Sequence, residues 1–278
     1  MSKPDGLPDN LLPLRDVIAK HELRAKKSLG QNFLLDMNIT DKIAREAGDL
    51  SGKTVFEIGP GPGGLTRSLI KSPAAKIIAV EFDPRAVAAL QDLKSERVEI
   101  VQGDALRVNY LELAAAPRAI VANLPYNIAT VLLTNWLKEI HEKPGAYDSM
   151  TLMFQKEVAE RIVAAPGGKV FGRLSVIAQW ICECRICFEL PPSAFTPPPK
   201  VSSSVVHFVP RKLVADAPDF RSVEKVTAAA FGQRRKMIRG SLKDYAEGLE
   251  RLGIDPTLRA ENLSVENFIE LAKLKAAN

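Results

Sequence analysis

The sequence predicts an α/β fold, a parallel sheet covered by helices on both faces, followed by a small all-helical domain. Three observations carry this prediction. From Thr54 onward, short and nearly continuous apolar runs alternate with stretches of helical period, as expected for strands buried on both sides. The first run, TVFEI (54–58), leads into a glycine-rich turn that opens a helix. Beyond Pro210 the helical period persists and no convincing strand recurs.

Residues 1–23 read as a loose leader with one short helix. After TVFEI, GGLTRSLI (63–70) reads as helix and KIIAVEF (76–82) as strand. PRAVAALQDL (84–93) begins with proline in its first turn, where the missing N–H costs nothing. VEIVQ (98–102) and RAIVANL (118–124) are further strands, and Val131, Leu132, Leu133, Trp136 and Leu137 recur with helical period. MTLMF (150–154) is a short strand before the helix QKEVAERIVA. PPSAFTPPPKVSSSVV (191–206) holds five of the 19 prolines, too stiff for a helix, and reads as an ordered loop feeding the strand SVVHFVP. The domains expected are a leader (1–23), an α/β domain (24–210) and a helical domain (211–278).

The composition, 46% hydrophobic and 26% charged, is that of a globular protein. A net charge of +5 and a pI near 9.0 permit a polyanionic partner. Residues 211–278 carry 13 Lys and Arg against 10 Asp and Glu, so more than half of the excess lies in the last quarter. No apolar run is long enough to cross a bilayer, and the first twenty residues are no secretory signal. The cysteines, Cys182, Cys184 and Cys187, are odd in number and clustered, which fits a reducing cytoplasm. On a strand they alternate faces, so they read as core or half-buried thiols, and no metal site is expected.

Gly59, Gly61 and Gly63 of EIGPGPGG permit a tight turn on which a ligand lies against backbone. Glu81, 22 residues beyond Gly59 and at the end of the next strand, suits the ribose hydroxyls of an adenosyl group. These features fit NAD and S-adenosylmethionine alike. Asp104, after the third strand, adds an acceptor for an adenine amino group, expected more for S-adenosylmethionine. Glu57 tilts the same way, because a carboxylate sits badly beside a pyrophosphate and tolerates a sulfonium cation.

The strand RAIVANL runs into Asn123-Leu124-Pro125-Tyr126. An adenine amino nitrogen is a poor nucleophile, since its lone pair is delocalised into the ring. Two acceptors aimed at its hydrogens favour a pyramidal nitrogen. The Asn123 side chain supplies one, and the backbone carbonyl of Leu124 or Pro125 the other. Tyr126 offers an aromatic wall to a flipped base. Phe195, in a rigid loop with few core neighbours expected, is a second stacking candidate. In RRKMIR, helical spacing puts Arg235 and Arg239 four residues apart with Lys236 beside them. Together with Arg234, and with Lys26 and Lys27 from the first domain, they form an expected phosphate-binding ridge. Phe231, Met237, Ile238 and Leu242 would form the core-facing side.

These motifs resemble the small-subunit rRNA adenine dimethyltransferase family over Lys26 to Asn267. The resembling segments include KKSLGQNFL (26–34), EIGPGPGGLT (57–66), VEFD (80–83), GDAL (103–106), NLPYNI (123–128), FGRLSV (171–176), FGQRRKMIRGSL (231–242) and RAENLSVENF (259–268). The resemblance implies a Rossmann-like S-adenosylmethionine-dependent methyltransferase domain with an all-helical C-terminal domain. It implies that Asn32 and Leu34 join Gly59, Glu81, Asp104 and Asn123 at the cofactor, and that Phe195 and Tyr126 flank the target base. The implied product is N6,N6-dimethyladenosine at two adjacent adenosines near the 3′ end of 16S rRNA, within an assembling small ribosomal subunit. A monomer is expected, since the sequence has no exposed apolar seam.

Overall fold

Buried aliphatic runs make the strands, and acidic caps start several of the helices between them. The computed structural model of the protein describes residues 11–23, 31–233 and 235–276. In chain order the elements are α1 (Leu14–Lys20), β1 (Phe33–Leu34), α2 (Met37–Glu46), β2 (Thr54–Ile58) and α3 (Gly64–Lys71). They continue with β3 (Lys76–Glu81), α4 (Pro84–Gln91), β4 (Val98–Gln102), α5 (Tyr110–Leu113), β5 (Arg118–Asn123) and α6 (Tyr126–Glu142). Then come β6 (Ser149–Gln155), α7 (Lys156–Ile162), α8 (Arg173–Ile181), β7 (Cys182–Leu190), β8 (Phe195–Thr196) and β9 (Ser203–Pro210). The last are α9 (Phe220–Gly232), α10 (Ile238–Ser241), α11 (Ala246–Arg251) and α12 (Val265–Ala276). Asp36 caps α2 and Asp83 caps α4, each accepting a backbone N–H two residues on.

The main sheet has the order β4-β3-β2-β5-β6-β9-β7. Strands β4, β3, β2, β5 and β6 are parallel, while β9 runs antiparallel to β6. The parallel sheet read from the sequence is thus present over five strands, and β9 makes the whole sheet mixed. Strand β9 is reached through the proline-rich stretch, which supplies no crossover helix of the kind a parallel pairing needs. From β2 the chain winds outward through β3 and β4, then crosses back to β5. That reversal opens a crevice at the carboxyl ends of β2 and β5. A second, two-stranded sheet pairs β1 with β8 antiparallel, Phe33 opposite Thr196 and Leu34 opposite Phe195.

The chain forms two compact units. The first is Met1–Leu133, Gly145–Lys156 and Ile186–Val209; the second is Thr134–Pro144, Glu157–Arg185 and Pro210–Asn278. Two segments from before Pro210 therefore go with the helical unit, which the linear division at residue 210 leaves out. The first unit has a core of strand and helix residues including Val55, Leu69, Ile77, Ala119, Val121 and Met153. In the second, Trp180 stacks on Phe220 at 6.0 Å, and His141 Nε2 donates to the Pro218 carbonyl at 3.0 Å. Leader residues 14–23 are not loose: Val17 and Leu23 are buried against Ala86 and Ala89 of α4. Cys182 is buried and Cys184 and Cys187 are half-buried, and none of the three is in a disulfide. Burial pushes the Cys184 thiol up to about 12, which keeps it protonated at neutral pH.

Candidate active site

The crevice holds a cavity of about 270 Å³. Its walls come from the turns after β2, β3, β4 and β5, with the segment around β1 lying alongside. Asn32, Leu34, Gly59, Glu81, Asp104, Asn123, Leu124, Pro125 and Tyr126, singled out from the sequence, all line it. Gly59, Glu81, Asp104 and Asn123 to Tyr126 converge because each stands at or just past the carboxyl end of a parallel strand, while Asn32 and Leu34 come from the segment around β1.

The glycine turn is fitted closely to its neighbours. Gly61 has φ +56°, and a Cβ there would lie 2.9 Å from the Phe33 ring. A Cβ on Gly64 would come within 2.6 Å of the Leu34 carbonyl oxygen. Glu81 braces the turn: its Oε2 accepts the Gly61 N–H at 3.0 Å and its Oε1 the Asp83 N–H at 2.8 Å. Burial pushes the Glu81 carboxyl upward, and these backbone donors oppose the shift. Asp104 closes the turn after β4, its Oδ1 accepting the Leu106 N–H at 3.0 Å.

Glu57 sits beneath the turn, buried, and its Oε2 has no hydrogen-bond partner. Burial pushes its carboxyl up to about 8, with the Glu81 charge adding to the rise and Thr66 opposing it. A pyrophosphate beside Glu57 would add negative charge to a group already short of solvation, whereas a cationic ligand would relieve it. The residues present therefore fit S-adenosylmethionine and argue against a dinucleotide.

At the end of β5, Asn123 Nδ2 donates to the Asn32 backbone carbonyl at 3.1 Å. That bond fixes the amide and leaves Oδ1 as an acceptor. Tyr126 opens α6, and its hydroxyl shares a 2.6 Å hydrogen bond with Ser203 Oγ of β9. Burial pushes the phenol upward, so it remains neutral.

Phe195 departs from expectation. It is 3% exposed, packed in the core of the first unit, and not among the cavity-lining residues. The expectation of few core neighbours is corrected: pairing of β8 with β1 sets Phe195 opposite Leu34, with its side chain in the core. Sequence reasoning also missed Phe82 and Leu106, which line the cavity with Phe82 61% exposed. An aromatic directly after a strand-end carboxylate was the available signal for Phe82. Nothing local announced Ser203, which meets Tyr126 across 77 positions.

The expected basic helix face in the second unit is corrected as well. Helix α9 ends at Gly232 and α10 starts at Ile238, so Arg235 and Lys236 lie in the turn between them and Arg239 is the second residue of α10. Met237, extended, forms a bridge with Arg259, and the Ile238 N–H bonds the Leu258 carbonyl. Those bonds to a distant segment replace the continuous helix. Met237 is 43% exposed rather than core-facing, while Ile238 and Leu242 are buried. Arg235, Lys236 and Arg239 are exposed and form no ion pair among the described residues. Lys26, Lys27 and Arg234 lie outside the described residues.

The family model described as ribosomal RNA adenine dimethylase matches residues 22–277. A "Ribosomal RNA small subunit methyltransferase A" of Mesorhizobium japonicum is 55% identical over 278 residues, covering 96% of this chain and 98% of that protein. Among solved structures, a dimethyladenosine transferase from Plasmodium falciparum matches with a TM-score of 0.72 and 25% identity, over 85% of this chain and 94% of that one. The 23S rRNA methyltransferase ErmE matches with a TM-score of 0.67 and 23% identity, over 89% of this chain and 100% of that one, and shares the fold.

Proposed function

Because the chain belongs to the ribosomal RNA adenine dimethylase family, we propose that it methylates N6 of two adjacent adenosines in a hairpin loop near the 3′ end of 16S rRNA. Each adenosine receives two methyl groups, four in all, and the substrate is an assembling small ribosomal subunit in the cytoplasm. The enzyme acts as a monomer. The observation that carries the reading is the fixed Asn123 amide, whose free acceptor lines a cavity suited to an adenosyl sulfonium.

When bound, S-adenosylmethionine supplies an electrophilic methyl group. Glu81 and Asp104 hold its ribose and adenine, Phe82 and Leu106 give the base apolar surface, and Glu57 balances the cation. Asn123 Oδ1 accepts one hydrogen of the target amino group, and the carbonyl of Leu124 or Pro125 accepts the other. The nitrogen is thereby pyramidalised and its lone pair freed. Tyr126, held by Ser203, presents its ring to the flipped base. Phe195, in the core and off the cavity wall, supports β1 rather than touching the base. Arg234, Arg235, Lys236 and Arg239, with Lys26 and Lys27, contact phosphates.

The deciding experiment maps methylated nucleosides by mass after incubating enzyme and cofactor with undermethylated small subunits. Paired N6,N6-dimethyladenosines near the rRNA 3′ end are expected. Methylation of large-subunit RNA alone would reject the substrate assignment.

Two smaller effects follow. A cation bound beside Glu57 favours its ionised form, so cofactor binding releases a proton at pH 7. Affinity should rise with pH by at most about tenfold per unit and level off above about pH 8, where Glu57 ionises without ligand. In the unliganded protein the sign is opposite. The folded state keeps this proton from the ordinary carboxylate range up to about 8, so Glu57 makes stability fall as pH rises through that window. Calorimetry in buffers of different ionisation enthalpy reads the released proton, and Glu57→Gln should abolish it. An unchanged proton count in that variant would remove Glu57 from the linkage. For RNA, affinity should fall with salt, and Arg235→Ala/Lys236→Ala/Arg239→Ala should flatten the log–log slope by about 2 to 3 through lost counterion release. An unaltered slope would clear these side chains of phosphate contact.

A further inference from the structure

Arg85 lies at the first turn of α4 and is absent from the cavity wall, yet it ties the leader to the turn whose Asp83 N–H holds cavity-lining Glu81. Its Nε and Nη2 donate to the two oxygens of Asp83 at 3.0 and 2.6 Å, and the Asp83 side chain is buried. Its Nη1 donates to the Glu22 backbone carbonyl at 2.8 Å. Glu22 has φ 51°, a left-handed conformation uncommon outside glycine, so something must hold it there. Asp83 also receives the side chain of Gln31, a cavity-lining residue, and its own N–H is the donor to Glu81 Oε1.

The leader is held to the same region from its other side. Lys20 Nζ and His21 Nε2 lie 2.7 and 2.8 Å from Asp92 Oδ2, just beyond α4. A Leu14 methyl comes within 3.3 Å of where a Cβ on Gly64 would stand. Helix α1 precedes the stretch matched by the family model, which begins at residue 22.

We propose that Arg85 is a positioning residue for the cofactor site, clamping the leader at Glu22 and the cavity wall at Gln31 onto the Asp83 carboxylate and so fixing Glu81. The inference rests on the reading of the cavity as the S-adenosylmethionine site. Three donors in one rigid plane are what the clamp needs. Lysine keeps the charge but cannot span both Asp83 oxygens and the Glu22 carbonyl together.

The test therefore uses Arg85→Lys, which leaves buried Asp83 paired, with Asp92→Asn as a second variant that frees the leader while Arg85 stays intact. The full-length protein is titrated with S-adenosylhomocysteine by calorimetry, and kcat and KM are measured on undermethylated small subunits. Arg85→Lys should weaken S-adenosylhomocysteine binding and raise KM for S-adenosylmethionine by about tenfold, with kcat at saturating cofactor within about twofold. Asp92→Asn should shift both in the same direction by less. Affinity within twofold of wild type in Arg85→Lys, or a fall in kcat at unchanged affinity, would overturn the proposal. Failure of the wild-type protein to bind S-adenosylhomocysteine would instead reject the cofactor reading beneath it.

Discussion

Asn123→Ala should lower methyl transfer about a hundred- to a thousandfold at saturating cofactor, while binding of the ribosomal particle stays nearly unchanged. The magnitude is that of removing one preorganised polar partner from a reacting centre, about 3–4 kcal/mol of barrier. The side chain does two things at once. Its Nδ2 is committed to the Asn32 carbonyl, and this commitment aims Oδ1 at the target amino group. Asn123→Asp separates the two roles, because a carboxylate accepts but cannot donate to Asn32 and would face a carbonyl oxygen without a hydrogen between them. It should therefore also lose activity, through orientation rather than through a missing acceptor. Single-turnover rates with saturating cofactor read the chemical step, and S-adenosylhomocysteine titration reads the cavity. An Ala variant within threefold of the wild-type rate would exclude Asn123 from the reaction.

That Asn123 was visible in the sequence at all follows from its place. Strands buried on both faces leave nearly uninterrupted apolar runs, and the residue where each run stops is the one that meets a ligand. Gly59, Glu81, Asp104 and Asn123 were all found by that rule, and all line one cavity. Contacts made by short segments far apart in the chain escaped it. β1 and β8 are two residues each and pair across about 160 positions, too short to carry any periodicity. Phe195 therefore looked like an aromatic stranded in a proline loop, when its ring is core. The same failure affected RRKMIR. Local helical spacing was sound as far as it went, but hydrogen bonds from Ile238 to Leu258 and from Arg239 to Pro256 decided the backbone there. The leader was misjudged because Leu14, Val17 and Leu23 are interleaved with charged residues, and the apolar stripe appears only once α4 is opposite it.

Gly64→Ala should weaken S-adenosylhomocysteine binding roughly thirtyfold, about 2 kcal/mol, through overpacking rather than through any lost hydrogen bond. The Leu34 carbonyl fills the space that a side chain on Gly64, the first residue of α3, would need. The added methyl would stand 2.6 Å from that oxygen and 3.3 Å from a Leu14 methyl. A backbone carbonyl cannot rotate aside as a side chain can, so β1 must lift. Leu34 and Asn32 line the cavity, and Asn32 holds the Asn123 amide, so the shift reaches both cofactor and acceptor. The expected signature is a raised KM for S-adenosylmethionine together with a lowered kcat, unlike the KM effect alone expected of Arg85→Lys. Gly232→Ala is the matched control, since nothing lies within 4 Å of its added methyl. It should leave affinity and rate alone. Normal affinity in Gly64→Ala, with Gly232→Ala behaving likewise, would mean that β1 does not rest on the first turn of α3 when the cofactor binds. The coupling between that segment and Asn123 would then fall with it.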